Sequence, residues 1–169
     1  MKFRRATAGD IDAIMKIMSD ARRFQEQNGV VQWVNGYPSR EVVSGDVGAG
    51  NCYVMEDAGV CACATVIAEG EPTYAQIYGG RWLTGEESEY LAIHRVAVAD
   101  RVRGQGVAPA MIAEVKARAR REGYPSIRID THRDNMAMQR MLAKTGFEYC
   151  GVIYLENGSE RIAFEWLDR

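Results

Sequence analysis

The stretch Val96-Ala97-Val98-Ala99-Asp100-Arg101-Val102-Arg103-Gly104-Gln105-Gly106-Val107-Ala108 carries the clearest chemistry in the chain. An apolar strand runs into a glycine turn, and the turn runs into an amphipathic helix. The first N–H groups of a helix have no partner within it, and with the helix dipole they attract an anion. Gly104 and Gly106 let backbone approach a phosphate with no Cβ in the way. Arg101 and Arg103 add positive charge nearby. Pro109 suits the first helical turn, where a missing N–H costs little. The expected ligand is anionic.

Two nucleotide-binding motifs fit poorly. A Walker A loop needs Gly-Lys-Ser/Thr after the turn, which is absent. A dinucleotide fingerprint needs Gly or Ala where Pro109 stands, although Asp130 ends the next strand at a suitable distance for a ribose contact. A nucleotide-dependent oxidoreductase therefore survives as a weaker reading. Elsewhere, Gln32, Trp33 and Tyr37 form a polar, aromatic segment between the first two helices, where aromatic rings could clamp an apolar or cationic group or anchor the loop to the core. The cysteines at 52, 61, 63 and 150 have neither CxxC nor Cys/His zinc spacing, so buried free thiols and no metal are expected.

These residues need a scaffold, and the periodicities supply one. Phe3–Ala6 reads as a strand. Thr7 and Asp10 form a capping box for a helix with Ile11, Ile14, Met15, Met18 and Ala21 inward, ending near Asn28-Gly29. Ser39 caps a second helix reaching about Ala49. Cys52–Glu56 and Val60–Ala68 form a hairpin about Asp57-Ala58-Gly59, and residues 69–87 read as irregular. Glu89–Val98 is a strand, 106–122 a helix, Ser126–Asp130 a strand and Asp134–Lys144 a helix. Tyr149–Leu155 and Glu160–Trp166 close with a hairpin at Asn157-Gly158. Strand–helix–strand order in the second half requires parallel pairing, and the hairpins antiparallel pairing. The expected fold is α/β, with a mixed six- to seven-stranded sheet covered by helices on both faces, in a single domain spanning 1–169.

Composition sets outer limits. The chain has 169 residues, 47% of them hydrophobic and 26% charged, with a net charge of −2. That balance argues against nucleic acid as a general partner. No apolar run of about 18 residues exists, so no membrane span is expected. The start, Met1-Lys2-Phe3-Arg4-Arg5, lacks a signal-peptide core, and a cytoplasmic location is expected. Lysine stands only at positions 2, 16, 116 and 144; the rest of the 21 basic residues are arginine. Codon bias accounts for most of that skew, yet Arg101 and Arg103 flank the one turn where a phosphate would sit.

Arg101-x-x-Gly104-x-Gly106 after Val96-Ala97-Val98 resembles the acyl-CoA pyrophosphate loop of the GNAT N-acetyltransferase superfamily. Asn135-x-x-Met138 with Gly146-Phe147 resembles a second family segment, and Thr7-x-x-Asp10 the usual entry to the first helix. The resemblance covers essentially the whole chain. It implies acetyl-CoA as co-substrate and a small-molecule or peptide amine as acceptor. The amine attacks directly in a ternary complex. Backbone at Val96, Ala97 and Val98 would bind pantetheine, and the Ala97 N–H would polarise the acetyl carbonyl. The N–H groups of Arg103, Gly104, Gln105, Gly106, Val107 and Ala108 would hold the pyrophosphate. Asn135 would bond pantetheine or place the thiol end. The acceptor would meet Gln32, Trp33 and Tyr37, and a homodimer is compatible with the family. Two positions depart from the pattern. The family's carboxylate base falls on Ala92, which leaves His94, two residues on, as candidate base or relay, although it also reads as a packed strand histidine. Its tyrosine acid falls on Leu142, which leaves Tyr154, or Tyr149, as substitute, although both also read as core tyrosines. The same departures support an alternative, a non-catalytic acetyl-CoA-binding sensor.

Overall fold

The computed structural model describes residues 1–169. Its strands are β1 (Lys2–Arg5), β2 (Cys52–Glu56), β3 (Val60–Ile67), β4 (Leu91–Val98), β5 (Ser126–Thr131), β6 (Glu148–Tyr154) and β7 (Glu160–Leu167). Its helices are α1 (Ile11–Gln27), α2 (Arg40–Gly48), α3 (Val107–Glu122) and α4 (Met136–Lys144). The strands form a mixed seven-stranded sheet in the order β1-β2-β3-β4-β5-β7-β6. β4 and β5 pair in parallel, joined through α3, as the strand–helix–strand pattern requires. The hairpins β2/β3 and β6/β7 are antiparallel. No helix is long and apolar enough to cross a membrane.

Expected element ends move by a residue or two. Helix α3 begins at Val107, after Gly106, because Gly106 has φ 78°. The expected irregular segment 69–87 holds one turn of 3-10 helix at Pro72–Tyr74 and a lone antiparallel bridge from Tyr78 to Val152.

The chain forms two compact units, Met1–Val66 with His94–Glu114, and Ile67–Ile93 with Val115–Arg169. In the first, α1 buries Ile14, Ile17, Met18 and Ala21, while Ile11 and Met15 stay half-buried at the rim. It is entered through a turn of 3-10 helix, Ala8–Asp10, closed by the expected Thr7/Asp10 capping box. The Asp10 carboxylate accepts the Thr7 N–H at 2.7 Å and the guanidinium of Arg4 at 2.8 and 3.0 Å. Its exit is a Schellman turn. Gly29 lies at φ 71°, its N–H donates to Glu26 O, and the Val30 N–H donates to Gln25 O at 2.9 Å.

In the second unit, Gly123 ends α3 and Gly146 ends α4 in the same way, with Phe147 N–H on Leu142 O at 3.0 Å and the Phe147 side chain buried. The Gly146-Phe147 motif is thus a helix stop. This unit also buries an ion pair between β5 and β7. Arg128 Nε donates to Glu165 Oε1 at 3.1 Å, and Glu165 is wholly buried. The guanidinium stacks on the rings of Tyr90 at 4.1 Å and Trp82 at 4.4 Å. Glu165 also accepts the Leu83 N–H at 2.6 Å and the Thr84 hydroxyl, so the pair organises residues 82–84.

Each unit yields one expected outcome. Arg4 holds the Asp10 carboxyl well below the usual carboxylate range. A lowered folded pKa means that the stabilisation is complete above the unfolded value near about 4. It is lost as pH falls toward the folded value. Asp10→Asn is therefore expected to lose about 1–2 kcal/mol at pH 7. Its melting temperature should fall less than the wild type's between pH 5 and pH 3. In the second unit, Glu165→Gln leaves a buried guanidinium short of its counter-charge and is expected to cost about 3 kcal/mol in chemical denaturation. The double variant Arg128→Met, Glu165→Leu should recover most of that loss.

Candidate anion-binding and active site

Strand β4 delivers the chain to the glycine turn. The Ala99 N–H donates to Cys61 O at 2.9 Å, and a turn of 3-10 helix follows at Asp100–Val102. Within the turn, the N–H groups of Arg103 and Gln105 donate to Asp100 O and Val102 O. Gly104 and Gly106 then take φ 76° and 78°. A Cβ built on either would meet nothing within 4 Å, so backbone conformation requires glycine there, not packing. The result is four N–H groups, on Gly104, Gly106, Val107 and Ala108, with no acceptor in the chain; the first one satisfied in α3 is Ala110, on Gly106 O. Val107 itself is buried and seats the helix head.

The two arginines read from sequence as phosphate charge have partners inside the chain. Arg101 Nη2 donates to the carbonyls of Asp57 at 3.1 Å and Gly59 at 3.2 Å, bracing the β2/β3 hairpin. Arg103 donates to Asp100 Oδ1 at 2.6 Å and Val98 O at 3.3 Å, and lies 4.0 Å over the Phe24 ring. Arg103 and then Arg23 hold the Asp100 carboxyl below its ordinary pKa. Behind them, the buried Asp20 of α1 accepts the Asp100 N–H at 3.3 Å. Gln105 Nε2 closes the turn onto Arg101 O at 3.1 Å. The charges around this loop hold its shape and leave the backbone donors open.

His94 is half-buried on β4, with Nε2 shut off from solvent. Arg95, next along, has φ 52°, which breaks the alternation of side chains before Val96. Its Nε and Nη2 donate to Asp46 Oδ2 and Oδ1 at 2.7 and 2.8 Å, and its Nη1 donates to the Tyr37 hydroxyl at 2.9 Å. Burial opposes the Arg95 charge, but the bonds to Asp46 and Tyr37 outweigh it and raise its pKa above the ordinary value.

The segment read as an acceptor loop splits in character. Trp33 is buried and its N–H donates to Gln25 Oε1 at 3.3 Å; Gln32 is half-buried; Tyr37 is exposed, apart from its hydroxyl contact. An open pocket of about 360 Å³ lies beside it, lined by Glu26, Val30, Val31, Trp33 and Val34.

In the second unit, Ala92 is wholly buried among Tyr74, Ile153 and Ala163, and Leu142 is wholly buried in α4. Asn135 caps α4, its Oδ1 accepting the Met138 N–H at 3.2 Å. The expectation of core tyrosines at 149 and 154 is corrected. Tyr149 is 56% exposed and Tyr154 45% exposed, because β6 is the edge strand, and Tyr154 meets the Tyr78 ring edge-on at 5.4 Å.

Sequence reading missed Arg95, Asp46 and their link to Tyr37. The available sign was an arginine inside an apolar strand, where a charge needs a partner.

Comparison with known proteins agrees with this geometry. Residues 24–147 match the acetyltransferase (GNAT) family. No curated protein sequence matched the chain. Among solved structures, an acetyltransferase of the GNAT family from Streptococcus agalactiae 2603 is 34% identical, with a TM-score of 0.89 over 99% of this chain and 95% of that one. The ribosomal-protein-alanine N-acetyltransferase from Brucella melitensis is 20% identical, with a TM-score of 0.70 over 99% and 100%. The PaiA N-acetyltransferase from Thermoplasma acidophilum, solved in complex with coenzyme A, is 11% identical, with a TM-score of 0.71 over 99% and 98%. The glycine turn, the helix it opens and the sheet that carries it are those of a GNAT acetyltransferase, the family to which this chain belongs.

Proposed function

We propose that the chain transfers an acetyl group from acetyl-CoA to the nitrogen of a primary amine, within a ternary complex. The observation that carries this reading is the set of four unaccepted N–H groups at Gly104, Gly106, Val107 and Ala108. They suit a diphosphate, which offers several anionic oxygens at short spacing. The Arg103 and Gln105 N–H groups already bond within the turn, so in this reading they shape it. The Brucella and Thermoplasma neighbours are N-acetyltransferases, and the latter holds coenzyme A, which favours the same substrate here.

The remaining roles follow the same reading. Backbone at Val96, Ala97 and Val98 pairs with the pantetheine arm, and Asn135 orders its thiol end while capping α4. The Ala97 N–H stabilises charge on the acetyl oxygen. His94 takes a proton from the amine, directly or through water. The amine nitrogen bonds to the acetyl carbon, the carbon–sulfur bond breaks, and the CoA thiolate is protonated, with Tyr154 the candidate donor. Gln32, Trp33 and Tyr37 contact the acceptor, a small molecule or a peptide, in a cytoplasmic setting.

The second reading is an acetyl-CoA-binding module without catalysis. It is favoured by Ala92 and Leu142, which put no titratable group where the family pattern has a base and an acid.

Release of free CoA across a panel of amines, followed with DTNB, tests the proposal. The protein thiols should not interfere. All four are buried, and burial pushes Cys52 up to about 12 and Cys150 up to about 11. Turnover of any amine supports transfer; tight acetyl-CoA binding with no turnover supports the module; no binding by calorimetry overturns both. Gly104→Glu places a carboxylate against the pyrophosphate and is expected to abolish binding in a folded protein; unchanged affinity would mean the loop is misassigned. His94→Ala is expected to lower kcat by about 100-fold or more and to alter the pH dependence of the rate. Acetyl-CoA affinity should be unchanged. An unaltered pH profile leaves His94 a packing residue.

A further inference from the structure

Arg95 is over-determined in a way that catalysis does not explain. Its backbone sits at φ 52° in the middle of a strand, a conformation that persists in a non-glycine residue only where surrounding contacts enforce it. Its side chain is fixed as well. The planar fork meets both oxygens of Asp46 on α2, and Asp46 Oδ2 also accepts the Thr65 hydroxyl of β3 at 2.8 Å. The carboxylate is therefore held from two sides, and the fork has one orientation. Its Nη1 then points an N–H at the Tyr37 hydroxyl.

Tyr37 in turn ends the segment between α1 and α2. The Val34–Tyr37 turn is closed by the Tyr37 N–H on Val34 O at 3.1 Å, with Asn35 and Gly36 at φ 55° and 75°. Val31 and Val34 are exposed and give the turn little core to rest on. Tyr37 is tethered at both ends instead, its carbonyl accepting from Arg22 Nη1 at 3.0 Å and its hydroxyl from Arg95.

We infer that Arg95 is a positioning residue for the acceptor site: locked on Asp46, it holds the Tyr37 hydroxyl and so keeps the segment between α1 and α2 in the form that receives the amine. The word acceptor rests on the acetyl-transfer reading above; the ordering of the segment does not. Arginine is needed because a lysine ammonium has no fixed fork with which to meet Asp46 and Tyr37 together. The phenol accepts from Arg95, and its own proton is left for a ligand.

The experiment is a double-variant cycle of Tyr37→Phe and Arg95→Lys. The first removes one oxygen and leaves strand β4 untouched, so it remains informative even where Arg95→Lys folds poorly. Amide hydrogen exchange over residues 30–37 is expected to quicken about tenfold in Tyr37→Phe. In the double variant it should run no faster than in Arg95→Lys alone. Melting temperature and acetyl-CoA affinity of Tyr37→Phe should match the wild type. With the best-used amine of the panel, Tyr37→Phe should raise the acceptor KM about tenfold and leave the acetyl-CoA KM unchanged. Unchanged exchange in Tyr37→Phe, additive effects in the double variant, or an equal rise in both KM values overturns the proposal. Should no amine be acetylated, the transfer reading falls. Exchange then decides Arg95 by itself: faster exchange upholds the tether, and unchanged exchange overturns it.

Discussion

Four backbone N–H groups at the head of α3 have no acceptor in the chain, and the surrounding structure keeps them available. A helix start normally recruits a side-chain cap, as Thr7 with Asp10 and Asn135 do elsewhere in this protein. At α3 the preceding residues are Gly104, Gln105 and Gly106, and the Gln105 side chain turns back to Arg101 O. Two left-handed glycines carry the chain from the 3-10 turn into the helix without putting a side-chain oxygen over the exposed donors. The site is built by withholding a cap.

That choice shapes the electrostatics nearby. Asp100 opens the turn and would repel an anion, but Arg23 and Arg103 bracket its carboxylate and Asp20 anchors its N–H. The arrangement neutralises the acid and fixes the turn in one step. Arg101 secures the same turn from the far side, on the hairpin carbonyls. Arginine suits these tasks because its planar fork reaches several acceptors at once. The arginine-rich composition thus has a structural use at this loop, distinct from direct contact with a phosphate.

What could be read from the sequence, and what could not, divides by distance along the chain. The Thr7/Asp10 cap, the helix stop at Gly29, the hairpins and the glycine turn are local, with causes within a few residues. They were legible, and with them the parallel β4/β5 pair and the family. The Arg95–Asp46 fork joins residues 49 apart, and the Arg128–Glu165 pair residues 37 apart. Periodicity shows that an arginine stands in an apolar strand but not which carboxylate meets it. Tyr149 and Tyr154 went astray for a related reason: alternation marks one face of a strand, but only the sheet order makes β6 an edge.

The two loops of the first unit are held by opposite means, and this bears on where specificity resides. The glycine turn offers main-chain N–H groups, which every residue but proline carries, so side chains around it can change while the anion site remains. The segment from Val30 to Tyr37 depends on side chains throughout: Trp33 in the core, Arg22 on the Tyr37 carbonyl, Arg95 on its hydroxyl. Changing any one of these alters the shape of that segment without touching the turn. In the proposed reading, a cofactor held by backbone and a loop shaped by side-chain tethers let acceptors be exchanged by substitution in the loop while the turn is left alone.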